Sequence, residues 1–381
     1  MLGQTNAKVV SGGNVEVVET SAGVLTNKGD ISVLNPTIGI YGKLFINETD
    51  FIHYAASNPG GGSNNLYYGR LTISNSVISI TSLFTVPLDF GQVYNISSEM
   101  TKCAALSPNK DYVAVVGVNG NTNVFLVPLL SSSFGTPVSI DLGVGNLFGV
   151  SFISDDTFVA CSSSTIYVFK IENGSFSLQK TISSDITISL STSANGLLMI
   201  ASSSAVKFID VVTETTVYSD SGLSITTTNI PIVVDNKVFV KVSNTSIPFK
   251  VFIVDNGSVT SPTFSSSLTF TTSQVKLWAK KQSDNNIIIF MICYSNSNND
   301  IQPVCFDFQN LKISTMFVIG NLGTYSYQSS YMWFYNGYLY ALVYYQSSTN
   351  LSRVFEMSSD MVATKINYDG WQYTVVDKVS S

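Results

Sequence analysis

Short apolar runs alternate with clusters of Asn, Gly, Asp and Ser along the whole chain. The stretch from Thr101 to Val127, TKCAALSPNKDYVAVVGVNGNTNVFLV, shows the unit. A small-residue run (Cys103 to Leu106) meets a Ser107-Pro108-Asn109-Lys110 turn. A second run (Tyr112 to Val118) meets an Asn119-Gly120-Asn121-Thr122 turn, and Val124 to Val127 follows. Asn-Gly supplies the positive φ of a tight hairpin, and the flanking runs are β-branched and apolar on both sides, as strands buried between layers are. The pattern predicts one antiparallel meander.

The same hairpin recurs. Leu44 to Ile46 and Phe51 to Ala55 flank Asn47-Glu48-Thr49-Asp50. Val150 to Ile153 and Thr157 to Cys161 flank Ser154-Asp155-Asp156. Further copies turn at Asn195-Gly196, Asp235-Asn236, Asp284-Asn285 and Asn336-Gly337. The turn centres are spaced by about 40 to 60 residues, and a period of about 40–50 residues with four short strands is the mark of a propeller. Two more strands follow the hairpins, as in Thr165 to Ile171 and Phe176 to Lys180 around Glu172-Asn173-Gly174-Ser175. No segment of about eleven residues shows helical periodicity. Seven such units, spanning residues 38–370, predict an all-β ring of seven four-stranded antiparallel blades, each covering its neighbours' apolar faces.

The phrase Ala105-Leu106-Ser107-Pro108-Asn109-Lys110-Asp111-Tyr112-Val113-Ala114-Val115 resembles the inner hairpin of a WD40-like or YVTN-type propeller blade. The resemblance extends over residues 38–370 as strand rhythm and is close in that blade alone. Trp-Asp and Gly-His pairs are missing, so the polar tetrad of true WD40 repeats cannot assemble. Such propellers include enzymes, scaffolds and lectins, so the resemblance implies a fold and no activity.

Residues 1–37 are Gly-rich (Gly3, Gly12, Gly13, Gly23, Gly29) with short Val-rich runs. They read as an extended arm that gains order on the edge of another protein. Ring closure is expected to draw a strand from Ile31 to Leu34 or, in the tail 371–381, from Tyr373 to Val376.

Apolar residues make up 45% of the chain and charged ones only 12%, with a net charge of −6. Ser, Thr and Asn supply the solvation instead. The acidic balance and lack of basic runs argue against a nucleic-acid partner, and no apolar run is long enough to span a membrane. The N-terminus has no signal-peptide pattern, so the chain is expected to stay in the cytosol or to leave by assembly or lysis. Cys103, Cys161, Cys293 and Cys305 show no metal spacing. Cys293 and Cys305 flank one hairpin and could face each other, but buried free thiols are the preferred reading.

Candidate chemistry is sparse. His53 is the only histidine and lies mid-strand. Asp50, Asp156 and Asp284 occupy equivalent turns, where Asp bonds its own backbone. Asn296 to Asp300 lacks the order of a calcium loop and reads as a polar loop. Six Asn-x-Ser/Thr sequons, at Asn47, Asn95, Asn173, Asn244, Asn256 and Asn350, are about what chance gives at this Ser/Thr content. No catalytic residue, metal or cofactor is expected. The aromatic content, 19 Tyr and 23 Phe, is the remaining signal. Tyr94, Tyr325 and Tyr327 fall between blades beside Ser, Asn and Gly, a composition suited to recognition, and are the expected binding residues.

These features lead to a non-enzymatic structural or recognition propeller of a virion, from a phage or an archaeal virus, with surface loops that bind host protein or glycan. Its expected partners are other virion or surface proteins, held through the arm. A cell-surface adhesin and a glycan-processing enzyme are the alternatives.

Overall fold

The structure, a computed structural model, describes residues 43–47, 49–55, 65–74, 77–88, 103–117, 122–144, 146–227, 231–243, 247–266, 274–281, 284–295 and 298–315, together with strands at 7–10, 16–20, 26–31, 331–335, 338–344, 352–358, 361–368 and 371–378. Every named element in it is a β-strand. Among the described residues no helix is long and apolar enough to cross a membrane.

Strands β1 (Ala7–Val10) and β2 (Glu16–Thr20) form a hairpin, and β3 (Thr26–Ile31) follows. The first four-stranded sheet is β4 (Lys43–Phe45), β5 (Asp50–Ala55), β6 (Asn65–Ser74) and β7 (Val77–Pro87). The second is β8 (Ala104–Leu106), β9 (Tyr112–Val116), β10 (Asn123–Pro128) and β11 (Val138–Asp141). The third is β12 (Leu147–Ser154), β13 (Thr157–Ser162), β14 (Thr165–Glu172) and β15 (Ser175–Ser183). The fourth is β16 (Leu190–Ala194), β17 (Leu197–Ala201), β18 (Ala205–Asp210) and β19 (Thr215–Ser221). The fifth is β20 (Ile232–Val234), β21 (Lys237–Lys241), β22 (Phe249–Asp255) and β23 (Ser258–Thr260). The sixth is β24 (Gln274–Lys281), β25 (Asn286–Ser295), β26 (Asn298–Asp307) and β27 (Lys312–Thr315). Then come β28 (Tyr331–Tyr335), β29 (Tyr338–Tyr344) and β30 (Ser352–Ser358), and last the hairpin of β31 (Met361–Tyr368) and β32 (Trp371–Lys378).

Each four-stranded sheet is antiparallel and, up to the sixth, a plain meander. The last takes its fourth strand from far upstream: β3 pairs antiparallel with β30, matching Thr26 to Glu356 and Ile31 to Ser352. Of the two expected closing segments, the N-terminal one is therefore placed in a sheet, several residues earlier than Ile31 to Leu34. Residues 371–378 pair with β31 alone. Part of the segment expected as a free arm thus lies within the body.

First strands of consecutive sheets lie side by side, β4 by β8, β8 by β12, β12 by β16, β16 by β20, β20 by β24 and β24 by β28. At the outside, β3 lies beside β7, which brings the last sheet against the first. The second strands β9, β13, β17 and β21 are buried on both faces, and their period of two divides them between neighbours. In β13, Phe158 and Ala160 join the core shared with the second sheet, while Val159 and Cys161 join that shared with the fourth. In β17, Leu198 and Ile200 face back and Leu197, Met199 and Ala201 face forward. In β21, Val238 and Val240 pack against the fourth sheet, while Phe239 meets Phe306 of the sixth at 5.1 Å between ring centroids. Among the described residues these second strands are shared between neighbouring cores, which is why the sequence shows unbroken apolar runs there rather than alternation.

Of the expected Asn-Gly turns, those at Asn173 and Asn195 form as sequence chemistry dictates, and those at Asn119 and Asn336 lie outside the described residues. Asn173-Gly174 (φ 51° and 77°) and Asn195-Gly196 (φ 44° and 79°) adopt the paired positive φ of tight hairpins, as does Asn256-Gly257 (φ 47° and 74°). The run Asn296 to Asp300, expected as a loop, differs: Asn298 to Asp300 already pair with Ser295 to Cys293, because the long β25–β26 ladder continues to its tip.

Candidate functional site

An antiparallel meander sends its first-to-second and third-to-fourth turns to one edge, and its second-to-third turns and exits to the other. Bonds between like turns of adjacent sheets align these edges. Asn109 N, in the β8–β9 turn, donates to Asp155 Oδ1, in the β12–β13 turn, at 2.9 Å. Lys281 Nζ reaches Asp284 in its own sheet and Asp235 in the β20–β21 turn, each at 2.7 Å. The molecule therefore presents two chemically distinct faces.

The first carries the acidic turns. Asp50 is buried and receives Arg70 Nε and a terminal Arg70 nitrogen at 2.6 and 2.9 Å, with the Tyr68 hydroxyl at 3.0 Å. The Arg70 hydrogen bonds hold its carboxyl down at about 2, and burial together with the Asp50 carboxylate raises the Tyr68 phenol. Asp156 bonds Lys170, with Ser154 Oγ at 2.8 Å, and is likewise held at about 2 by Lys170. Lys281 lowers Asp284. Carboxylates pinned this low are poor general acids or bases at neutral pH. Other charges tie sheets together: Lys180 to Glu214 at 3.0 Å and to the Val212 carbonyl at 2.9 Å, and Lys250 to Asp220 at 3.0 Å. Among the described residues no group of His, Cys, Asp and Glu could hold a metal ion.

The second face is different. Not one connection between a second and a third strand, in any of the four-stranded sheets, contains Asp, Glu, Lys or Arg. Ser, Asn, Thr and Gly make up most of them instead. Two adjacent copies are described in full. Ser162 Oγ accepts the Thr165 amide at 3.1 Å, and Ser202 Oγ accepts the Ala205 amide at 3.0 Å, so the first serine of each triplet closes its turn. The other two serines give their carbonyls to the exit of the same sheet. Ser184 N and Ile188 N donate to Ser164 and Ser163 at 2.8 Å, and Leu223 N and Ile225 N donate to Ser204 and Ser203 at 3.0 and 2.8 Å. The hydroxyls of Ser163, Ser164, Ser203 and Ser204 are left exposed, with no side-chain hydrogen bond among the described residues.

On the same edge, next to the rung that pairs Leu147 with Ser162, lies Phe148. It is the extra residue of a β-bulge: Leu147 pairs with Ser162 and Gly149 with Cys161, leaving Phe148 out of the ladder and 38% exposed. A bulge re-aims a side chain, and here it turns an aromatic ring to solvent at the start of β12, next to the serine turn. The sequence reading missed Phe148. The signal available was Gly149 breaking an otherwise apolar run, the mark of a bulge.

The expected binding residues Tyr94, Tyr325 and Tyr327 lie outside the described residues. His53 occupies mid-β5, in register with Lys43 and Tyr67. Cys305 is free and pairs in register with Ile288, while Cys293 pairs with Asp300. The two cysteines are thus about 17 Å apart along the ladder at the usual rise of a strand, beyond disulfide reach. Burial pushes the Cys161 thiol up to about 12 and the Cys305 thiol up to about 11, far from thiolate chemistry.

No family model matches the chain. No curated protein matches it either. Among solved structures, a chain of the mitotic checkpoint complex is similar at 9% identity with a TM-score of 0.49, covering 92% of this chain and 98% of that one. The hydrazine synthase of Kuenenia stuttgartiensis is similar at 12% identity with a TM-score of 0.43, covering 67% of this chain and 80% of that one. Both likenesses are too distant to carry anything from those proteins to this chain.

Proposed function

We propose that the chain is a non-enzymatic recognition and structural propeller, a seven-bladed ring closed by β3, that serves as a surface or tail component of a virion. The observation that carries the recognition reading is the division of charge. The first-to-second turns set Asp side chains in ion pairs with Arg70, Lys170 and Lys281, while the second-to-third connections carry no charged residue and offer exposed hydroxyls from backbone-locked turns. The low charge and the Ser, Thr and Asn richness of the chain suit a particle surface. Residues upstream of β3, including the β1–β2 hairpin, are the proposed attachment to neighbouring virion or surface proteins, and the loops are the proposed contact with host protein or glycan.

The test is fractionation of the source culture on a density gradient, followed with an antibody raised against the full chain. The chain is expected to band with particles at fixed stoichiometry. Its absence from purified particles would remove the virion assignment, and turnover of any polysaccharide abolished by a single Asp substitution would remove the non-enzymatic one.

A further inference from the structure

We infer that the Phe148 bulge and the serine turns at its side form a binding subsite for an uncharged glycan. The inference rests on the recognition reading and narrows it to one ligand class.

Three features point the same way. Phe148 offers an exposed aromatic face, and such a face packs the C–H surface of a sugar ring as it packs any apolar surface. Ser163, Ser164, Ser203 and Ser204 offer hydroxyls that each donate and accept, which matches sugar hydroxyls that do both. Their backbone is fixed by the four hydrogen bonds that their carbonyls accept from the amides of Ser184, Ile188, Leu223 and Ile225, so little ordering opposes binding.

Charge excludes the nearest alternative. Beside the two serine turns, Asp185 and Asp220 pair with Lys207 and Lys250, and at the exit of the second sheet Asp141 accepts from Thr122 and the Gly143 amide. Lys207 and Lys250 are therefore engaged, and the second-to-third connections bring no cation of their own. An anionic glycan would meet negative or neutralised groups. A protein partner would call for Arg and clustered aromatic anchors, whereas the described residues here put one exposed ring, Phe148, beside short hydroxyl side chains.

The full-length chain, electrophoresed through gels containing dextran, galactomannan, xylan or β-glucan, is expected to be retarded by at least one of them. Retardation should persist in about 0.5 M NaCl, where exposed charges are screened. Alginate and polygalacturonate should leave mobility unchanged. Phe148→Ala should weaken binding at least about tenfold, equivalent to about 1.4 kcal/mol, and Phe148→Trp should keep it. Should Phe148→Ala fail to fold, the exposed quadruple change Ser163→Ala, Ser164→Ala, Ser203→Ala and Ser204→Ala carries the test, with a loss of binding at unchanged melting temperature expected. No retardation by any neutral polymer, binding confined to anionic polymers, or full binding by both variants would overturn the inference. A chain that bands with particles yet binds no neutral glycan would overturn this inference alone and leave the virion reading standing.

Discussion

Asp50 shows how one residue can organise an edge. Its carboxylate gathers Arg70 from β6, Tyr68 from the same strand and Asn47 from the preceding turn. Because its folded value, about 2, lies below the ordinary 3.8, it adds stability that is complete above about pH 4 and vanishes as pH falls through about 2. Asp50→Asn is expected to cost about 1–2 kcal/mol at pH 7, discounted for the solvent around half-exposed Arg70, and to flatten the acid limb of a melting-temperature profile. Gly69 sits opposite Phe51 in the same sheet, and a Cβ there would come within 2.6 Å of two atoms of that buried ring. Gly69→Ala should destabilise by roughly 1–3 kcal/mol in denaturant titrations, since the ring has no room to retreat.

At the scale of the strand and its turn, the two Asn-Gly-Ser tips at Asn173 and Asn256 are a natural control for that clash. Gly174 and Gly257 hold φ of 77° and 74° with nothing near the position of an added Cβ. Alanine at either should therefore cost about 1 kcal/mol through backbone conformation alone, and the two costs should add in the double variant. Such turns were legible in the sequence because Asn-Gly between apolar runs has one cheap geometry. The second strands were legible for a related reason: burial on both faces leaves a continuous apolar run. The closing strand was not, since Thr26 to Ile31 (TNKGDI) is polar, carries Gly29 and has no alternation to fix a register. Its pairing with β30 even slips between Asn27 and Asp30. The Phe148 site was hidden too, because its meaning lies in a ladder mismatch with Ser162 and Cys161 and in serines from a neighbouring sheet.

For the molecule as a whole, β3 is the piece on which two expectations divide. Removing residues 1–20 takes away the β1–β2 hairpin and should leave the melting temperature unchanged while abolishing attachment to the assembly. Removing residues 1–31 also strips the fourth strand from β30, opens an unpaired edge and exposes the outer side of β7. That longer truncation should melt about 1–3 °C lower, the size expected for a loss of about 1–2 kcal/mol in a chain of this length, and should self-associate through the bare edge. A 1–20 truncation that melts as low as the longer one would show that the hairpin belongs to the body.

The pairing of Thr26 with Glu356 also sets a timetable. A ribosome releases β3 roughly 320 residues before its partner strand, and at about 5–20 residues per second the interval between them is on the order of tens of seconds. Throughout that interval the strand has no place to go. A β-branched, apolar segment left waiting so long would pair with another nascent chain on the same message. A strand built of Thr, Asn, Lys, Gly and Asp can stay in water until the last sheet emerges, so the weak sequence of the latch is what lets it be made first and used last.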